Sequence, residues 1–208
     1  MARLCPLFSG SSGNSYYIGS RSAGLLIDAG RSARQLTQML DRCGIDPLAI
    51  QGILITHEHS DHIAGVRVFA KKYGIPVFAS QPLGFRITTA DHREFALATD
   101  LGEVTSCVRD HLLGAEFVVV ESNHDREMLQ VGPYPAYLKR RILSCRGHLS
   151  NRDCAAFLPQ LVEAGAKRFL LAHLSCENNT PSLAGQTAVA VLAGAGYQEG
   201  VDYWMEVA

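Results

Sequence analysis

The chain has 208 residues, 47% of them hydrophobic, which is enough to bury most of its apolar surface, and it reads as a single domain over residues 1–208. Its 19 Lys and Arg against 20 Asp and Glu leave a formal net charge of −1, which excludes a globally basic nucleic-acid-binding surface and leaves only local contacts with a polyanion. No apolar run approaches the roughly 18 residues that cross a membrane, "MARLCPLFSG" is too short in its apolar part for an export signal, and six scattered cysteines without a CxxC pair argue against a zinc ribbon and for reduced thiols in the cytoplasm.

Along the chain, "SYYIGS" and "AGLLIDAG" predict short strands around the turn-prone "SRSAG". "SARQLTQMLDRCG" has helical apolar spacing and a glycine stop. A buried strand at Ile53–Ile55 runs into "THEHSDH", and "IAGVRVFAKKYG" predicts a helix followed by the strand "IPVFAS". "GFRITTADHREFALATDLG" reads as a hairpin around "ADHR", and "EFVVVESNHD" as a strand ending in polar groups. The amphipathic helix "NRDCAAFLPQLVEAG" opens on Ser150 or Asn151, the strand "AKRFLLAHLS" ends in a histidine, and "SLAGQTAVAVLAGAG" is the last long helix. Alternating strands and helices give an α/β class. Polar residues fall at the C-terminal ends of several apolar strands, at Asp28, His57, Asp100, Glu121 and His173. In α/β sheets that edge is where loops converge on a site.

The segment "THEHSDH" gathers three histidines and two acids in seven positions. Packing gives no reason for such crowding, whereas a cation that takes the lone pairs does. Imidazole and carboxylate together suit zinc, manganese or iron. The spacing allows His57 and His59 to face one ion while Asp61 and His62 face a second.

"THEHSDHIAG" after "GILI" resembles the metallo-β-lactamase superfamily signature. "LFSGSSGNSYYI", "LLIDAG", "ATDLGEV", "ESNHDREML", "YPAYLKRRILSCRGHLSN" and "LAHLSCENN" narrow the resemblance to the YycJ (WalJ) family, relatives of ribonuclease Z and ribonuclease J, over nearly the whole chain. The resemblance implies an αββα sandwich and a metal-dependent nuclease, a 5′ exonuclease on double-stranded DNA that uses a metal-bound hydroxide. It implies two divalent ions with His57, His59, Asp61 and His62 as ligands, Asp100 bridging both ions, and His173 on the second. Asp28 resembles the aspartate that orients the metal loop, although a plain turn aspartate would look the same. His148 in "GHLSN" resembles the histidine set near the scissile phosphate, with Glu121 orienting it; a cap or loop role fits both almost as well. Asp61, His148 and Glu121 are therefore the expected catalytic set. Ser9 and Asn14, in the glycine- and hydroxyl-rich "SGSSGNS", could meet a phosphate or form a tight turn. Arg140 and Arg141 lie in the only basic cluster, "LKRRILSCRGH", which suits a DNA or RNA backbone or a solvated face. His124 and Asp125 divide evenly between substrate contact and loop structure, and His92 and His111 read as surface.

The sequence departs from the family pattern at one place. "QPLGFRI" resembles the tail of a family motif whose preceding histidine is the third histidine ligand of the first ion. Here it follows "PVFAS" almost at once, so a block with its strands and its histidine is missing between Ser80 and Gln81, along with part of the first sheet. The first ion would keep His57, His59 and Asp100, and the second Asp61, His62, Asp100 and His173. Two alternatives to a nuclease follow: a thiolester hydrolase of the glyoxalase II kind, and a binding or regulatory member impaired by the lost histidine.

Overall fold

A computed structural model describes residues 2–10, 13–56, 60–79 and 84–208. Two compact units emerge, one of residues 1–82 with 89–91, the other of residues 83–88 with 92–208.

In the first unit, β1 (Arg3–Phe8), β2 (Ser15–Gly19) and β3 (Gly24–Ile27) pair antiparallel in that order, and β4 (Ile50–Ile55) and β5 (Val77–Ala79) continue the sheet in parallel. Helix α1 (Ala33–Arg42) starts in a capping box: the Ser32 hydroxyl accepts from the Gln35 amide, and the Gln35 side chain reaches back to the Ser32 N–H. Its inward residues Leu36 and Leu40, four apart, pack with Tyr17, Leu26, Ile53 and Phe69 in a fully buried core. The helix expected from Ile63 onward is broken. A short α2 (Ser60–Ile63) precedes α3 (Val66–Tyr73), because the Gly65 N–H leaves the helical pattern to donate to the Ala29 carbonyl at 2.8 Å.

Gly30 shows how tightly these loops approach. The Asn14 N–H donates to the Asp61 carbonyl (2.7 Å), the Gly30 N–H to the Asn14 carbonyl (2.9 Å) and the Ala29 N–H to the His62 carbonyl (2.7 Å). A Cβ on Gly30 would lie 1.5 Å from the Asp61 carbonyl oxygen, a backbone atom that cannot swing away. Gly30→Ala is therefore expected to destabilise the chain by more than about 3 kcal/mol, above ordinary overpacking of about 1–3 kcal/mol. Equilibrium denaturation checks this; an unchanged midpoint would mean that the three loops do not meet as described.

In the second unit, β6 (Gly84–Thr88) and β7 (Glu94–Ala98) form the expected hairpin, and β8 (Phe117–Glu121), β9 (Arg168–Ala172) and β10 (Trp204–Val207) extend it in parallel, in the order β10-β9-β8-β7-β6. Between strands lie α4 (Ser106–Leu112), α5 (Arg126–Val131), α6 (Ala136–Ile142), α7 (Asn151–Glu163) and α8 (Pro181–Gly194). Helix α7 is N-capped by Ser150, one of the two expected residues. Leu158, Leu161, Ala184, Ala188 and Leu192 from α7 and α8 close over Val118, Val120 and Leu171 of the sheet. The sequence reading did not resolve β1, β10, α4, α5 or α6. Because β7, β8 and β9 run parallel, with β8 paired between the other two, their C-terminal ends share one edge.

Candidate metal centre

The strand edge of the second unit brings Asp100, Glu121 and His173 together, and the loop before α7 adds His148. Glu121 ends β8 with no solvent exposure, and each of its oxygens accepts twice. Oε1 takes His148 Nδ1–H at 2.8 Å and His173 Nδ1–H at 2.6 Å; Oε2 takes the Leu101 N–H at 2.6 Å and the Leu149 N–H at 3.3 Å. Burial alone would raise the Glu121 pKa, but the hydrogen bonds from His148 and His173 win and hold it at about 2. An ionised carboxylate only accepts, so both imidazoles carry the proton on Nδ1 and keep Nε2 for other work. His173 Nε2 and His148 Nδ1 each lie 3.9 Å from Asp100 Oδ1, and Asp100, His148 and His173 each offer a ligand atom within 4.8 Å of the others.

The first unit repeats the device. Asp28, fully buried at the end of β3, accepts from the Thr56 N–H (2.8 Å) and hydroxyl (2.7 Å) and holds His62 Nδ1 at 2.7 Å. His62 Nε2 is left 3.4 Å from Asp61 Oδ2. The amide of Asn14 lies between them, 3.3 Å from Asp61 Oδ2 and 3.0 Å from His62 Nε2, and also ties Gly10 at both ends. Imidazoles braced at Nδ1 by a buried carboxylate, with a second carboxylate beside Nε2, fit a divalent cation in both units: Asp61 and His62 in the first, Asp100 and His173 in the second.

Strain marks the same residues. Among the described residues, Asp28, Asp100, His173 and the exposed turn residue His92 are the non-glycine positions with positive φ, near 60°. Three of the four are expected site residues, and such conformations persist where the surroundings impose them.

The other expected residues are placed as follows. His57 and His59 lie outside the described residues. Ser9 puts its hydroxyl 3.0 Å from that of Tyr16, and Asn14 is buried at 1% exposure, so its bonds are within the protein. Arg140 and Arg141 are exposed on α6. Asp125 caps α5 by accepting from the Glu127 and Met128 amides. His124 is 1% exposed, burial lowers its pKa to about 4, and among the described residues neither ring nitrogen has a hydrogen-bond partner. Sequence reasoning missed two things. Thr56 braces Asp28, and Glu121 serves His173 as well as His148. A threonine just after a strand carries no signal, and the second Glu121 bond depends on β8 and β9 being neighbours.

Comparison with known proteins points the same way. The metallo-β-lactamase superfamily model matches residues 9–137. The exodeoxyribonuclease YycJ of Bacillus anthracis is 34% identical over 238 aligned positions, covering 93% of this chain and 90% of that protein. The exodeoxyribonuclease WalJ of Streptococcus pneumoniae serotype 2 (strain D39 / NCTC 7466) is 35% identical over 244 positions, covering 95% and 90%. An alignment of 238 positions against a chain of 208 residues leaves at least 30 positions of the relative without a counterpart here. Among solved structures, the metallo-β-lactamase fold protein YhfI from Bacillus subtilis superposes with a TM-score of 0.68 at 15% identity, covering 99% of this chain and 95% of that one, a likeness of fold. With a family match over more than half its length, full-length relatives above 30% identity and the same α/β fold, this chain belongs to the metallo-β-lactamase superfamily, beside YycJ and WalJ.

Proposed function

We propose that the chain is a metal-dependent phosphodiesterase, a 5′ exonuclease on double-stranded DNA, working as one domain in the cytoplasm. The observation that carries the reading is Glu121 bracing His148 and His173 beside Asp100. The names of the relatives supply the substrate: both are exodeoxyribonucleases. The metal ligands are His57, His59, Asp61, His62, Asp100 and His173. Held by these residues, a divalent ion such as zinc, manganese or iron would supply Lewis acidity to a phosphoryl oxygen and make hydroxide available near pH 7. His148, its side chain 29% exposed and its Nδ1–H fixed on Glu121, presents Nε2 to the scissile phosphate; as the imidazolium, carrying a second proton on Nε2, it gives that proton to the leaving oxygen and returns to the Nδ1–H form. Asp28 holds His62 in register through Nδ1. Arg140 and Arg141 neutralise backbone phosphates.

Presenting the metal-loaded chain with 5′-labelled duplex DNA and a small thiolester side by side tests this. Shortened DNA with intact thiolester supports the nuclease. Thiolester cleavage with intact DNA would replace it by the glyoxalase II kind of hydrolase, and cleavage of neither would leave a binding member of the family.

The relatives' extra positions fit a block absent between Ser80 and Gln81, and with it a histidine. Losing even an outer partner of a metal ligand costs about 10–100-fold in affinity. The ion at His57 and His59 is therefore expected to bind at least about tenfold more weakly than the other. Stepwise metal titration checks this; two equal, tight steps would mean that another donor has replaced the lost ligand.

A further inference from the structure

Helix α6 carries a surface that the proposed chemistry leaves partly unused. Leu138 and Ile142, four residues apart, face inward, and Ile142 is buried. Tyr137, Arg140 and Arg141, at i, i+3 and i+4, share the face turned to solvent. Tyr137 is 68% exposed, a large ring that leaves most of its surface to solvent. Arg86, Arg93 and Arg126 are paired with Glu94, Glu116 and Asp153, whereas among the described residues neither Arg140 nor Arg141 has an ion-pair partner. Basic residues in the last turn of a helix also suit its dipole, and that alone would account for the arginines but not for the tyrosine.

This face is joined rigidly to His148. The His148 N–H donates to the Ile142 carbonyl at 2.9 Å, and the Gly147 N–H to the Ser144 carbonyl at 2.8 Å. A Cβ on Gly147 would lie 2.0 Å from the Ile142 oxygen, so the close turn from α6 to His148 excludes a side chain there. Whatever α6 binds is held at a fixed offset from His148.

An exposed ring beside two uncommitted guanidinium groups offers a π-face for a base and cations for the flanking phosphates. Bases inside a duplex are stacked on their neighbours and have no face to give. We propose that Tyr137 is a stacking platform for an unpaired nucleobase, so that α6 selects a single-stranded or frayed DNA end and sets it in register with His148. The inference rests on the nuclease reading above and adds the form of DNA end that the site prefers.

The test uses the full, metal-loaded chain on 5′-phosphorylated DNA with a single-stranded 5′ overhang, and on a blunt duplex whose terminal pair is cross-linked. Base–aromatic stacking predicts that Tyr137→Ala raises KM on the overhang about five- to a hundredfold. The kcat should stay within about twofold. Tyr137→Trp should restore KM, and the cross-linked end should not distinguish the three proteins. The salt dependence of KM should be unchanged by Tyr137→Ala, while Arg140→Ala with Arg141→Ala flattens it by about one unit per lost phosphate contact. A KM for Tyr137→Ala equal to that of the parent on the overhang, or a Tyr137→Trp variant as poor as the alanine, overturns the platform while leaving the nuclease standing. A parent chain that hydrolyses no DNA overturns both.

Discussion

Glu121→Gln is expected to lower kcat/KM on DNA by more than about a hundredfold, beyond the 10–100-fold typical of one lost outer partner, because two histidines depend on one side chain. Four donors converge on this carboxylate: two imidazole Nδ1–H groups on Oε1 and two backbone N–H groups on Oε2. Glutamine has one acceptor oxygen. Whichever way its amide is turned, two of the four donors face an NH2 group. If the oxygen stays with the histidines, the Leu101 and Leu149 amides lose their partner inside the protein. If it turns to the backbone, His148 and His173 lose their orientation and are free to move the proton to Nε2. Each unsatisfied buried donor costs about 1–3 kcal/mol, so stability should also fall by about 2–6 kcal/mol. Steady-state kinetics and denaturation on the same preparation check both effects. Parent-level hydrolysis by a folded Glu121→Gln protein would remove Glu121 from the site.

Asp61→Ala is expected to separate activity from stability. The Asp61 side chain is 24% exposed; its carboxylate lies 3.4 Å from His62 Nε2 and accepts from the Asn14 amide at 3.3 Å. The loop itself is held by the Asp61 backbone oxygen, which accepts from the Asn14 N–H and survives the substitution. Removing the carboxylate takes away negative charge where a cation would bind. Hydrolysis should drop at least about a thousandfold, which is about 4 kcal/mol of lost transition-state stabilisation. Stability of the metal-free protein should change by less than about 1 kcal/mol. Normal phosphodiesterase activity in the purified variant would sink the metal mechanism.

Much of this arrangement was legible in the sequence because apolar runs and their polar ends report directly on strands. Val118–Val120 followed by Glu121, and Phe169–Ala172 followed by His173, marked both the strands and the edge on which the site sits. What stayed hidden depends on neighbours distant in sequence. Nothing local to Glu121 says that β9 will lie beside β8 and bring a second imidazole to it. Nothing in "LLIDAG" says that Asp28 will adopt a left-handed backbone, or that the carbonyl of Asp61 will fill the space a Cβ on Gly30 would need. Helix α6 was visible only as a cluster of basic residues, since its seven residues, Ala136–Ile142, are too short for periodicity to declare a face. The four-residue β10 is recognisable only once β9 is there to pair with it.

The central claim, that divalent metal held by these histidines and aspartates drives DNA hydrolysis, is tested most directly by one experiment. The 5′ ends of labelled duplex DNA are followed with the purified chain, with the same chain after exhaustive chelation, and after zinc or manganese is returned, with metal content measured at each step. Shortening from the 5′ end that disappears with the metal and returns with it is the expected result. Shortening at the same rate from metal-free protein, or intact DNA in the presence of a fully metal-loaded chain, would contradict the account.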